Sequence, residues 1–273
     1  MTQSVLFFDS GVGGLSVLAE VRQLCPQLEL RYLMDDAEFP YGLKPDDTLQ
    51  QRVVQVCQQA VAAFSPDLLV IACNTASTLA LPQLRQHINI PIVGVVPAIK
   101  PAAELAKGGH IGLLATPATV DRLYIQDLIQ DFAEHCNVDR FGSSQLVQWA
   151  EDYLLDGKPL NQLKDHLQPW FNDYPAMSHV VLGCTHFPLL KQQLSQHWPH
   201  ISWIDSGEAI ARRVASLLHL SPAATSRSQV SEQPALSDAG IHLHWTSSQS
   251  HQPGAERFLC QLGELQDVGS LPC

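Results

Sequence analysis

Short, nearly unbroken apolar runs alternate with helix-patterned stretches along most of this chain, and that alternation limits its fold more than any other feature. The runs are Val5–Phe8, Leu30–Met34, Leu68–Ala72, Ile92–Val95, Ile111–Ala115, His179–Leu182 and Ser202–Ile204. Stretches with helical spacing lie among them, including Leu15–Leu24, Thr48–Phe64, Ala118–Phe132 and Ala209–His219. A strand with one wet face alternates apolar and polar residues, whereas a continuous run marks a strand covered on both faces, as in a buried parallel sheet. Repeated strand–helix–strand units predict an α/β fold. Residues 221–240, SPAATSRSQVSEQPALSDAG, read as a polar linker. Beyond it Ile241, Leu243 and Trp245 alternate as in a half-exposed strand, and Ala255–Leu265 looks helical.

The pattern also repeats. Leu68-Leu-Val-Ile-Ala-Cys73-Asn-Thr75 matches His179-Val-Val-Leu-Gly-Cys184-Thr185, with a thiol just beyond each predicted strand. Upstream, Val5-Leu-Phe-Phe-Asp9-Ser10 pairs with Ile111-Gly-Leu-Leu-Ala115-Thr116, and nearly the same interval leads from each to its cysteine. Two similar three-layer α/β domains with mainly parallel sheets, related by pseudo-twofold symmetry, are the simplest account. The first spans residues 1–98 and is completed by 207–273; the second spans 99–206.

Bulk properties remove several classes of function. With 16 Lys and Arg against 27 Asp and Glu, the net charge is −11, which repels phosphate backbones and makes nucleic acid an unfavourable partner. The N-terminus MTQSVLFFDSGVGG has no basic region, long apolar core or cleavage site of a signal peptide, and no apolar stretch approaches a membrane span. A cytoplasmic protein is expected, with no membrane partner. Disulfides are disfavoured in a reducing compartment, so each of the seven cysteines is either core filler or chemistry.

In open α/β sheets, ligands sit at the carboxyl ends of strands. Four polar groups fall there: Asp9-Ser10, Cys73-Asn74-Thr75, Thr116 and Cys184-Thr185-His186. Two thiols at equivalent places constrain the chemistry. A zinc site of the two cysteines with one histidine, in C-x-H spacing, is short of ligands unless it is an open catalytic one. A cysteine hydrolase leaves the second thiol unexplained. A redox pair would more naturally be C-x-x-C, which is absent. Removing a proton from one face of a carbon and returning one to the other requires two acid/base groups. It therefore explains both thiols and the repeat together. Asn74, Thr75, Thr185 and His186 are poor core residues, whereas Cys25, Cys57, Cys136, Cys260 and Cys273 lack polar company and read as structural. Asp9-Ser-Gly-Val-Gly-Gly14 reads as a tight turn into a helix whose free N–H groups suit a carboxylate; it matches no nucleotide motif.

These blocks carry a resemblance. Asp9-Ser-Gly-Val-Gly-Gly14, Pro40-Tyr41-Gly42, Ala72-Cys73-Asn-Thr-Ala-Ser77 and Gly183-Cys184-Thr-His-Phe-Pro-Leu189 resemble, in order, the signature blocks of glutamate racemases in the aspartate/glutamate racemase superfamily. The resemblance implies two similar α/β domains with the active site between them, and catalysis without metal, pyridoxal phosphate or nucleotide. It implies that Cys73 takes the α-proton of D-glutamate and Cys184 that of L-glutamate, with Asp9 assisting Cys73 and His186 assisting Cys184. Glu151 corresponds to a further acidic catalytic residue. Ser10, Tyr41, Gly42, Asn74, Thr75 and Thr185 would bind the substrate's amino and carboxylate groups, as would Thr116 and Thr119, with Asp9 and His186 beside them. D-Glutamate supply for peptidoglycan follows from the same resemblance. Some relatives carry an N-terminal extension linked to activation by a cell-wall nucleotide; the first strand begins almost at once here, so that regulation is not expected.

Two rivals remain. One keeps the fold and changes the substrate to aspartate or another amino acid. The other is a binding module on a racemase scaffold, which would have no reason to keep Cys73, Cys184, Asp9 and His186 together. Hydropathy fits a homodimer as well as a monomer.

Overall fold

A computed structural model describes residues 2–221, 239–248 and 253–271. Most of the predicted linker (222–238) and Cys273 lie outside the described residues. Two compact units are present, one built from residues up to Val95 and from Gly207 onward, the other from Val96–Ser206.

The first unit opens with β1 (Ser4–Asp9), α1 (Leu15–Leu24), β2 (Glu29–Met34), α2 (Asp46–Phe64), β3 (Leu68–Ile71), α3 (Asn74–His87) and β4 (Ile92–Gly94). Val5, Leu6, Phe7 and Phe8 of β1 are fully buried: β1 lies between β2 and β3, and Leu6 and Phe8 pack in one cluster with residues of α2 and α3. Burial of each such side chain contributes roughly 1.5–3 kcal/mol. Gly14 is required where the chain turns into α1: a Cβ there would sit 2.8 Å from the Ala72 Cβ and 2.9 Å from the Tyr32 hydroxyl. Asp46 and Asp47 in the first turn of α2 complement its positive end.

The second unit contains α4 (Ile99–Ala106), β5 (His110–Ala115), α5 (Pro117–Val120), α6 (Leu123–Ala133), β6 (Asn137–Gly142), α7 (Gln145–Asp156), α8 (Leu163–Asp173), β7 (Met177–Leu182), α9 (Lys191–His197) and β8 (Ser202–Ile204). Its four strands are parallel in the order β6-β5-β7-β8. The single helix expected over Ala118–Phe132 is two, because Arg122 adopts an extended backbone before α6. β6 escapes the sequence pattern because it is an edge strand with partly exposed Asp139 and exposed Arg140.

The chain then returns to the first unit with α10 (Gly207–Leu217), β9 (Ile241–Trp245), α11 (Pro253–Cys260) and β10 (Leu265–Ser270), and α10 packs on α1. The strand order is β10-β9-β2-β1-β3-β4, again parallel throughout. β9 is not half-exposed. It lies between β2 and β10, and all five of its residues are buried, His242 and His244 included. The His244 ring stacks on Phe64 with centroids 4.5 Å apart, which gives a polar side chain an apolar cover. The helical expectation for Ala255–Leu265 ends early, at Cys260, and Leu265 begins β10.

The two sheets share an order. β2-β1-β3-β4 in one corresponds to β6-β5-β7-β8 in the other, and in each a cysteine follows the third strand. The internal repeat read from the sequence is therefore a repeat of topology as well as of hydropathy.

Candidate active site

Every strand of the first sheet runs the same way, so residues that end β9, β2, β1 and β3 line one edge. They are Thr246, Asp35, Asp9 and Cys73 in spatial order. Cys73 is 6% exposed and stands at the N-cap of α3. The positive end of a helix favours negative charge there. Asn74 and Thr75 form the first turn of α3, and both are buried. The Asn74 side-chain oxygen is buried and has no hydrogen-bond partner among the described residues. An orphaned acceptor beside a thiol is costly unless a ligand donates to it.

Asp9 is fully buried at the end of β1. Its Oδ1 accepts from the Ser10 backbone N–H at 2.6 Å and its Oδ2 from the Gly14 N–H at 2.5 Å. The turn was expected to offer free N–H groups to an outside carboxylate; two of them go to the chain's own Asp9. The Ser10 hydroxyl also lies on Asp9, at 3.4 Å.

Tyr41 and Gly42 lie in a 3-10 turn, Tyr41–Leu43. The Tyr41 ring is buried with Phe8, Leu33, Cys57 and Cys73 in one cluster. Its hydroxyl donates to Asp35 at 2.5 Å. Burial pushes the phenol pKa well up. The Asp35 charge and hydrogen bond push it further, followed by charge on Cys73 and Cys57. The phenol therefore keeps its proton and remains a donor.

The second unit repeats the placement with different chemistry. Gly183 precedes Cys184, and a Cβ at Gly183 would come within 2.9 Å of Leu113 and 3.1 Å of Ala115, so close packing against β5 fixes the approach to the thiol. Cys184 is 7% exposed. Its sulfur lies 3.7 Å from His186 Nδ1, and His186 Nε2 lies 2.7 Å from Glu151 Oε1. Glu151 projects from α7, and it and His186 are both buried. Burial alone would disfavour charge on the ring. Hydrogen bonds to Cys184 and Glu151, with their charges, outweigh it and raise the His186 pKa well above its ordinary value. An imidazolium so held donates to Glu151 with one nitrogen and to the Cys184 sulfur with the other.

Thr116, at the end of β5, and Thr119 in α5 share a hydroxyl hydrogen bond of 2.8 Å, and Thr185 is buried next to Cys184. Each predicted site residue thus stands at the strand edge, or in a turn or helix beside it, within its own unit. Of the cysteines read as structural, Cys25 and Cys57 are buried, Cys136 is half-buried and Cys260 is exposed. Among the described residues no group of three or more His, Cys, Asp or Glu side chains could hold a metal ion, and no helix is long and apolar enough to cross a membrane.

Sequence reading missed Asp35, which takes two hydrogen bonds from Arg52 (3.0 and 2.6 Å) and one from Thr246 (2.5 Å) besides that of Tyr41. The available signal was the Asp35-Asp36 pair directly after a predicted strand, the same position that singled out Asp9.

Two parallel sheets of matching order, each followed by a barely accessible thiol after its third strand, define an α/β fold of the racemase type. The Asp/Glu/Hydantoin racemase family model matches residues 14–214, and the chain belongs to that family. The glutamate racemase of Histophilus somni (strain 129Pt) is 49% identical over 217 residues, covering 79% of this chain and 81% of that one. The glutamate racemase of Pasteurella multocida (strain Pm70) is 50% identical over 218 residues, covering 79% and 80%. The crystal structure of Escherichia coli glutamate racemase with L-glutamate and the activator UDP-MurNAc-Ala superposes with a TM-score of 0.86 at 40% identity. It covers 100% of this chain and 99% of that one.

Proposed function

We propose that this protein interconverts L- and D-glutamate by a two-base mechanism in which Cys73 and Cys184 address opposite faces of one α-carbon. The observation that carries this reading is the pair of nearly buried thiols at matching positions in two sheets of the same strand order, with His186 beside Cys184 and Asp9 ending the strand next to that of Cys73. The glutamate racemases at about half identity over most of the chain support glutamate as substrate. In this mechanism Cys73 removes the proton of D-glutamate while Cys184 donates to the other face, and the reverse holds for L-glutamate.

The surrounding groups fit that work. The His186 ring can exchange a proton with the Cys184 sulfur it faces, and Glu151 holds the ring in position. Asp9 shapes the turn next to Cys73 through its bonds to Ser10 and Gly14 and assists that thiol. The unpaired Asn74 oxygen suits the substrate ammonium. Thr75, Thr116, Thr119, Thr185, Ser10 and the Tyr41-Gly42 turn supply donors for carboxylates. Charge that builds on the α-carbon and its carboxylate is stabilised by such preorganised donors in a water-poor site. The product serves peptidoglycan synthesis in the cytoplasm.

Purified protein incubated with L-glutamate and no cofactor is expected to lose optical rotation to a racemate. Cys73→Ala and Cys184→Ala should each abolish the change. Full turnover in either variant would defeat the two-thiol mechanism, and turnover of aspartate alone would change the substrate.

A second reading concerns regulation. The E. coli structure solved with the activator UDP-MurNAc-Ala matches this chain over its whole length, which favours a response to the same nucleotide despite the early first strand. Adding it to the racemisation assay decides the matter: a rise in rate supports activation, and an unchanged rate rejects it.

A further inference from the structure

Along the strand edge that carries Cys73, one buried side chain is tied to more partners than any role discussed so far requires. Asp35 follows β2 and is fully buried. Its carboxylate accepts from Arg52 Nε at 3.0 Å and Nη2 at 2.6 Å, from Thr246 Oγ1 at 2.5 Å and from the Tyr41 hydroxyl at 2.5 Å. Its backbone N–H donates to the Asp9 carbonyl at 2.8 Å. One residue therefore joins α2, the end of β9, the Tyr41 turn and the Asp9 strand. Asp36 reinforces the link to β9: its carboxylate accepts from the Thr246 and Ser247 N–H groups at 3.1 and 2.9 Å and from the Ser247 hydroxyl at 2.6 Å.

A purely structural account explains part of this. A buried carboxylate must be paired, and Arg52 alone would satisfy that need. It does not explain why the fourth hydrogen bond comes from the phenol that shares a buried cluster with Cys73. Apart from the Asp35 bond, packing alone fixes this ring among the described residues, with its centroid 6.3 Å from that of Phe8. Burial by itself would raise the Asp35 pKa. Hydrogen bonds from Arg52, Thr246 and Tyr41, with the Arg52 charge, outweigh it and hold the carboxyl below its ordinary value. The acceptor is thus permanently charged near neutral pH, and the phenol has a fixed place to donate.

We propose that Asp35, clamped by Arg52 and Thr246, is a positioning residue for the Cys73 half of the reaction, acting through the Tyr41 phenol and the Asp9 backbone. This rests on the racemase reading above. It assigns to the returning C-terminal strand, through Thr246, a part in the site as well as in the sheet.

The test uses a property of enantiomers. Their free energies are equal, so kcat/KM is the same in both directions for every variant, and a defect at one thiol cannot appear as a directional difference there. It appears in the primary isotope effect on kcat/KM. When the Cys73 proton transfer is slowed, the effect with α-deuterated D-glutamate rises and that with α-deuterated L-glutamate falls. Asp35→Asn is expected to lower kcat/KM by about 10–100-fold, the scale of a small misplacement of reacting groups. It should polarise the isotope effects in that sense. Tyr41→Phe should do the same, and the double variant should be no worse than the poorer single one, because both act through one hydrogen bond. Wild-type kcat/KM in a folded Asp35→Asn protein would overturn the proposal. So would losses that multiply in the double variant while both isotope effects move alike. If Asp35→Asn shows no cooperative melting transition, Thr246→Val, which leaves the Arg52 pair intact, carries the same test alone and with Tyr41→Phe. Absence of racemisation by the unaltered protein would instead overturn the functional reading.

Discussion

The two units place a thiol after the third strand of the same four-strand order, yet they surround it with opposite charge logic. In the first unit the buried titratable groups near Cys73 are carboxylates fixed by donors: Asp9 by two backbone N–H groups, Asp35 by Arg52, Thr246 and Tyr41. The histidines of that unit's β9 are kept neutral, with His244 lowered to about 4 by burial first and then by the nearby Arg31 charge. In the second unit the buried group beside the thiol is an imidazolium paired to Glu151. A repeated topology thus supplies position, while local substitutions decide how each thiol is served. Cys73 stands at a helix N-terminus, on a strand edge whose carboxylates are held by several donors. Cys184 faces an imidazole ring that bridges a sulfur and a carboxylate.

The largest test of that contrast is removal of the thiols. Cys73→Ala or Cys184→Ala is expected to cost at least about 10³-fold in racemisation, at the upper part of what a positioned acid/base group contributes. Measured in both directions by polarimetry, a loss confined to one variant would break the equivalence of the two units. Next comes the Cys184 partner. His186→Gln should cost roughly 10²-fold and polarise the primary isotope effect toward L-glutamate, opposite in sense to Asp35→Asn. Glu151→Gln, which leaves the ring in place with a weaker partner, should cost about tenfold. Equal isotope effects for both enantiomers in His186→Gln would mean that the imidazole serves both thiols or neither.

Stability against pH gives the smallest effects, with opposite signs in the two units. The His186 pKa is raised in the folded state, so its contribution is fully present below the unfolded value near 6.5 and is lost as pH rises through the folded value. His244 is lowered to about 4, so the folded state resists its protonation and stability falls as pH drops from 6.5 toward 4. Melting temperatures measured across pH should therefore lose an alkaline slope in His186→Gln and an acidic slope in His244→Asn. The same slope lost in both would contradict the contrast.

Much of this arrangement was legible from residues alone, for a physical reason. Strands buried on both faces leave continuous apolar runs, and each run that stops at a polar or reactive residue exposes the functional edge; Asp9, Cys73 and Cys184 were found that way. His186 was found at the same edge, but its catalytic role and Glu151 altogether came through the family resemblance, and neither spacing nor periodicity shows that they pair across 35 positions. The Asp35 cluster was hidden because its members lie far apart in the chain: Arg52 is 17 positions away and Thr246 is 211. The burial of His242 and His244 was hidden because alternating polarity in β9 imitates a half-exposed strand, whereas the cover comes from Phe64 and from β10, itself unread in the sequence.

The central claim is that two thiols, one from each unit, work on opposite faces of one α-carbon. The most direct measurement is racemisation of L-glutamate in deuterated buffer, stopped at low conversion, with α-deuterium determined separately in each enantiomer. The two-thiol account predicts that D-glutamate carries deuterium from its first appearance while the remaining L-glutamate keeps its original proton. Deuterium accumulating in L-glutamate ahead of inversion, or D-glutamate retaining the substrate's proton, would mean that one group serves both faces.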